Sequence, residues 1–211
     1  MTPLWHYIQD PSPQVLADLL SFLVALVLAI TVHEFAHARR AQLAGDPTPE
    51  LHGRVTLNPL VHFDVIGTLM LFLAGWGWGK PVPVNHNLFR RPRHDSIMVS
   101  LWGPIANLIV ATVFAVPLRF GWAGEYGSVL GWIVWLNLVL AFFNLIPIYP
   151  LDGSHILVGL LPLPQARALE VFYHRFGLLL LLVLVFSRAT RYIIGPPLLA
   201  LFHLLTGHFL F

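Results

Sequence analysis

The sequence predicts an all-α polytopic membrane protein of about five to six transmembrane helices, with a small membrane-associated β-hairpin and re-entrant region. Three observations carry this. The 211 residues are 57% hydrophobic and 10% charged, where a soluble domain would carry roughly 25% charged residues. Mean hydropathy is +0.74. Several apolar runs approach or reach the roughly 20 residues a helix needs to cross the hydrocarbon layer. The length suits one domain over 1–211, with a core over about 14–160 and C-terminal helices over about 166–211.

The elements follow in order. Met1 to Pro13 lacks a basic run, so the first apolar segment reads as a retained span. Pro11 and Pro13 open a long helix over about 14–43, closed by Gly45-Asp46-Pro47. The stretch Glu50 to Pro59 alternates enough for a short strand over 51–57. Val65 to Ala74 is apolar but too short to span, so it reads as re-entrant. Glycines and prolines from Gly75 to Asn85 predict extended chain, with 81–86 as the second strand of the hairpin. Trp76 and Trp78 read as interfacial anchors, with a substrate gate as the alternative. Ile97 to Leu118 and Gly127 to Ile148 are long enough to cross, and Ser154 to Leu161 forms a short helix after Asp152-Gly153. Val171 to Phe186 and Ile193 to Leu205 complete the set, the last interrupted by Gly195-Pro196-Pro197.

Charge sets the orientation. Arg39, Arg40, Arg54, Lys80, Arg90, Arg91 and Arg93 all fall between the first span and the one that starts near Ile97. The positive-inside rule places this region in the cytoplasm and the N-terminus outside. Because these basic residues flank apolar spans, the formal charge of +2 gives no reason to expect a nucleic-acid partner; the lipid bilayer is the expected one. Cysteine is absent, which excludes disulfides and thiolate metal sites and leaves His, Asp and Glu as metal ligands.

The chemistry concentrates at His33-Glu34-Phe35-Ala36-His37, at the end of a nearly unbroken apolar run. Histidines four apart stand one above the other on a helix, so both imidazoles can reach one ion. The glutamate between them can take a proton from a water at that ion. With 11 His in 211 residues, chance produces such a string only about 0.01 times per chain of this composition. Ionisable groups at bilayer depth are costly and usually functional.

A catalytic zinc takes three protein ligands and keeps one position open for water. Asp152 is the foremost third candidate, at the cytoplasmic end of an apolar span and after Pro147 and Pro150, which open the helix. Locally, Asp152 reads equally as the cap of the short helix that follows. His155 is a rival ligand or a hydrogen-bonding neighbour. Asn107 and Asn144, on two separate spans, are candidate donors to a substrate backbone or a developing oxyanion, with interhelical hydrogen bonding as the plainer role.

Taken together, His33-Glu34-x-x-His37, Gly103-Pro104-Ile105-Ala106-Asn107 and the run from Asn144 to Leu151-Asp152-Gly153 resemble the site-2 protease family of intramembrane zinc metalloproteases. The run Gly79 to Asn85 is similar to the cytoplasmic loop of its short prokaryotic branch, and Arg119 to Tyr126 is too short to hold a PDZ domain. The resemblance implies one zinc ion per chain, held by His33, His37 and Asp152, with Glu34 as general base. It implies cleavage of a transmembrane protein substrate, in a prokaryotic cell membrane, at a site near the cytoplasmic face. The rival reading is a divalent-metal transporter or channel using the same intramembrane His/Asp cluster.

Overall fold

The computed structural model describes residues 3–74, 77–187 and 189–207. Trp76, read above as an anchor, lies outside them. The helices, in chain order, are α1 (Pro3–Gln9), α2 (Pro13–Ala44), α3 (Thr48–Leu51), α4 (Val65–Ala74), α5 (Pro92–Arg119), α6 (Gly127–Asn144), α7 (Asp152–Leu160), α8 (Leu163–Phe186), α9 (Ala189–Ile193) and α10 (Gly195–Thr206).

Local chemistry explains the limits of α2. Ser12 caps it, its hydroxyl accepting from Val15 N at 3.4 Å, and Pro13 takes the first position, where no N–H is needed. At the far end Gly45 turns into the left-handed region, at φ 106°, and Asp46 N returns to Ala41 O at 3.1 Å. Its 32 residues extend about 48 Å, well beyond the roughly 30 Å hydrocarbon layer. His33 therefore sits about 16 Å in from the Ala44 end.

Among the described residues four segments are long and apolar enough to cross a bilayer: Pro13–Ala44, Pro92–Arg119, Gly124–Asn144 and Leu163–Phe186. That corrects the expectation of five to six. α4 has 10 residues and α10 has 12, or about 15 and 18 Å, too short to cross. The last apolar run is divided because Pro196 and Pro197 start a new helix.

The expected β-hairpin is also corrected: the described residues contain no sheet. Residues 51–57 leave α3 through turns, with Gly53 at φ 64°, and 81–86 is extended without a ladder, since Pro81 and Pro83 have no N–H to donate. What remains is a single antiparallel bridge, Phe63 to Gly79, with Lys80 N donating to His62 O at 2.8 Å.

α2, α5 and α6 pack against one another as the central bundle. Away from the α2–α5 connection, Ala111 and Ala115 of α5, Val134 and Leu138 of α6, and Leu198 and Phe202 of α10 form one buried cluster. A second, from Ala41, Ala44, Phe89 and Val99, joins α2 to the start of α5. There the buried Asp95 carboxylate pairs with Arg40 of α2 at 3.1 Å and caps α5 by accepting from Arg91 N at 3.0 Å. The third cluster, Ile146, Leu151, Leu181 and Leu184, seats the α6–α7 loop on α8. Arg93, a topology signal in the sequence, has a structural task too: its guanidinium donates to Gly159 O at 2.5 Å and to Leu161 O, holding the C-terminal end of α7.

Candidate metal centre

The spacing of α2 and α5 residues builds the site. Ala29, His33 and His37 recur every four residues on α2, and Val99, Gly103 and Asn107 do so on α5, so each set forms one stripe. The helices run antiparallel, and the stripes face each other. His37 Nδ1 donates to Val99 O at 2.8 Å, His33 Nδ1 donates to Asn107 Oδ1 at 2.6 Å, and Asn107 Nδ2 donates to Ala29 O at 3.0 Å. Gly103 lies opposite the two rings, and no larger residue fits. A methyl on it would stand 2.5 Å from His37 Cε1 and 2.7 Å from His33 Cε1.

These partners decide the tautomers. A carbonyl oxygen can only accept, so each Nδ1 carries a ring proton, and in the neutral ring that a metal requires each Nε2 keeps its lone pair. The two Nε2 atoms lie 3.0 Å apart, and Asp152 Oδ2 lies 3.2 Å from that of His33 and 3.3 Å from that of His37. With both rings neutral, three acceptor atoms thus crowd one point, and Asp152 Oδ2 is buried without a hydrogen-bond donor. That neutral-ring arrangement is repulsive unless a cation sits at its centre. Donors at about 2.0–2.1 Å around a tetrahedral zinc stand about 3.3 Å from one another, which matches the spacing. Among the described residues this is the group of His, Asp or Glu side chains able to share an ion.

Asp152 opens α7, and its carboxylate turns toward the histidines of α2. Loop 145–151 brings it there, and Tyr173 of α8 steadies the loop by donating to Pro147 O at 2.6 Å. His155 stands apart from the three donors, its ring stacked at 6.1 Å on His86 and in edge contact with Tyr149. Burial, more than the opposing pull of nearby carboxylates, keeps His86 below the usual imidazole pKa.

The two asparagines fare differently. Asn107 is fully buried, and both its amide hydrogens are committed, to Ala29 O and to Asn137 Oδ1 at 2.8 Å. It therefore has the interhelical role that the sequence set beside a substrate contact. Asn144 donates one hydrogen to Leu140 O at 3.0 Å and lines a cavity of about 690 Å³. The cavity is apolar except where His33, Glu34, Thr68 and Asn144 border it, and Trp78, partly exposed, stands in its wall. Glu34 borders it beside Gly79 of the extended segment. Asn137 of α6 escaped the sequence reading, although an asparagine within an apolar span is itself a signal.

Known proteins agree with this chemistry. Over 185 residues the chain is 38% identical to "Putative zinc metalloprotease YwhC" of Bacillus subtilis, covering 83% of this chain and 84% of that protein. The chain belongs to peptidase family M50. The family profile matches residues 121–186 of this M50 chain, the stretch that carries Asn144 and Asp152. Two proteins named "Putative zinc metalloprotease Rip2" are also similar. That of Mycolicibacterium smegmatis is 30% identical over 171 residues, or 77% of this chain and 65% of that protein. That of Mycobacterium tuberculosis H37Rv is 33% identical over 171 residues, or 75% and 63%. This M50 chain therefore spans just under two thirds of each Rip2 protein. No solved structure matches it. The resemblance to site-2 proteases is borne out, and this M50 chain is an integral membrane zinc metalloprotease. The transporter reading is not favoured.

Proposed function

We propose that this M50 protease hydrolyses a peptide bond within a transmembrane segment of a partner membrane protein, close to the cytoplasmic face. The observation that carries this reading is the convergence of His33, His37 and Asp152 donor atoms at 3.0–3.3 Å beside an apolar cavity inside the helix bundle. We assign these three residues to one zinc ion per chain. When bound, zinc polarises a carbonyl and lowers the pKa of water to about 7. Glu34, next to a ligand in sequence, accepts the proton of the attacking water and returns it to the leaving amine. Asn144 has a second amide hydrogen to direct at the substrate backbone or the developing oxyanion. Asn107 orients His33 instead. The apolar lining suits an unwound stretch of a membrane span, since a helical substrate would keep its peptide bonds concealed. The positive-inside rule gives the orientation: the site lies toward the α2–α5 connection, which holds the basic residues.

The test is co-reconstitution in liposomes with reporter proteins carrying single transmembrane segments. Wild-type protein should cut a reporter within its span, stop on chelation and resume with added zinc. Glu34→Gln should keep zinc yet lose about 10²–10⁴ in rate. Cleavage unaffected by Glu34→Gln, or by chelation, would overturn the proposal.

A further inference from the structure

We infer that Asn137, on α6 and one helix removed from the donor atoms, is a positioning residue that fixes which ring nitrogen of His33 faces the ion. The inference rests on the metal reading proposed above. Its basis is a chain of hydrogen bonds in which every link has one allowed direction. Asn137 Nδ2 donates to the Ile133 carbonyl at 2.8 Å, which turns Asn137 Oδ1 toward α5. That oxygen can only accept, so Asn107 must present its NH2 group to it, at 2.8 Å. Ala29 O takes the other hydrogen of the same NH2 group. Asn107 Oδ1 is then left facing His33, where it accepts from Nδ1 at 2.6 Å and leaves the Nε2 lone pair directed at His37 and Asp152. Were the Asn107 amide turned over, its NH2 would meet Nδ1 and the ring proton would move to Nε2, where an ion is to bind. Asn107 and Asn137 both have 0% exposure, so no water can substitute for a lost partner. Outer partners that orient a ligating histidine typically account for 10–100-fold in metal affinity.

The test uses the full chain purified in detergent, with wild type compared to Asn137→Leu, which removes the acceptor, and Asn137→Asp. A neutral aspartic acid there can donate its hydroxyl to Ile133 O and still accept from Asn107. Zinc affinity is read by chelator competition, the ligand field by the visible spectrum of the Co²⁺-substituted protein, and folding by thermal melting. Asn137→Leu should bind zinc about 10-fold or more weaker with an altered Co²⁺ spectrum, and Asn137→Asp should stay within a few fold of wild type. If the leucine variant does not fold, Asn137→Ala provides the same comparison without added bulk. A lowered melting temperature with unchanged zinc affinity and spectrum would show a merely structural residue and overturn the inference alone. Wild-type protein that takes up no zinc would overturn the metal reading and this inference together.

Discussion

Replacing Gly103 by alanine is expected to abolish zinc binding while leaving the helices in place. The added methyl would meet Nε2 and Cε1 of His37 and Cε1 of His33. Neither ring can swing aside cheaply, because Nδ1 of each is hydrogen-bonded to α5, through Val99 O and Asn107 Oδ1. Either those bonds break or α2 and α5 separate. Overpacking of this kind typically costs about 1–3 kcal/mol, which the bundle can absorb, but displacing both rings removes two of three donors. Zinc retained after dialysis should fall to background and proteolysis with it. Gly131→Ala supplies the control, since a methyl there meets nothing within 4 Å. It should leave zinc and rate untouched and stabilise α6 by up to about 1 kcal/mol. A Gly103→Ala protein with a full zinc complement would refute the packing argument.

Asp152→Asn should be nearly as damaging for a different reason. The amide has the shape of the carboxylate but lacks its charge, and Oδ2 of the native residue has no hydrogen bond whose loss could unfold the loop. The change thus reports on the ion alone. Since outer partners of a metal ligand account for 10–100-fold in affinity, a direct anionic ligand should account for more than about 100-fold. Dissociation constants from chelator competition, alongside a melting temperature of the metal-free protein no lower than that of wild type, check this. Tight binding of one zinc by Asp152→Asn would remove Asp152 from the ligand set.

How much of this was legible in the sequence depended on the range of the interaction. The α2 pair was legible because a four-residue spacing on a helix is local geometry, and Pro11, Pro13 and Gly45 mark that helix plainly. The Gly103–Asn107 spacing carried the same information, but its partner stripe on α2 becomes visible only when the antiparallel packing is known. Without that packing, Asn107 read both as a donor to substrate and as an interhelical contact; its hydrogens are committed within the bundle. Alternation across 51–57 suggested a strand, yet Thr48-Pro49-Glu50-Leu51 winds into a helical turn and Gly53 bends the chain away. The count of spans failed for a related reason. Apolar character marks α4 and α10 as membrane-associated, but at 10 and 12 residues they are shorter than a span. Asn137 carried a signal that passed unused, an amide within an apolar helix with a partner thirty residues away.

The two halves of the ligand set belong to different parts of the molecule. The imidazoles are built into α2 and braced by α5 and α6, whereas the carboxylate rides on loop 145–151, seated on α8 through Ile146, Leu151, Leu181 and Leu184. Any ion held there is a crosslink between the bundle and its C-terminal helices, with a mechanical part to play besides its chemistry. Loading the metal would tie the carboxylate-bearing loop to the helix that carries the imidazoles, so that catalytic competence and that tie arrive in one event.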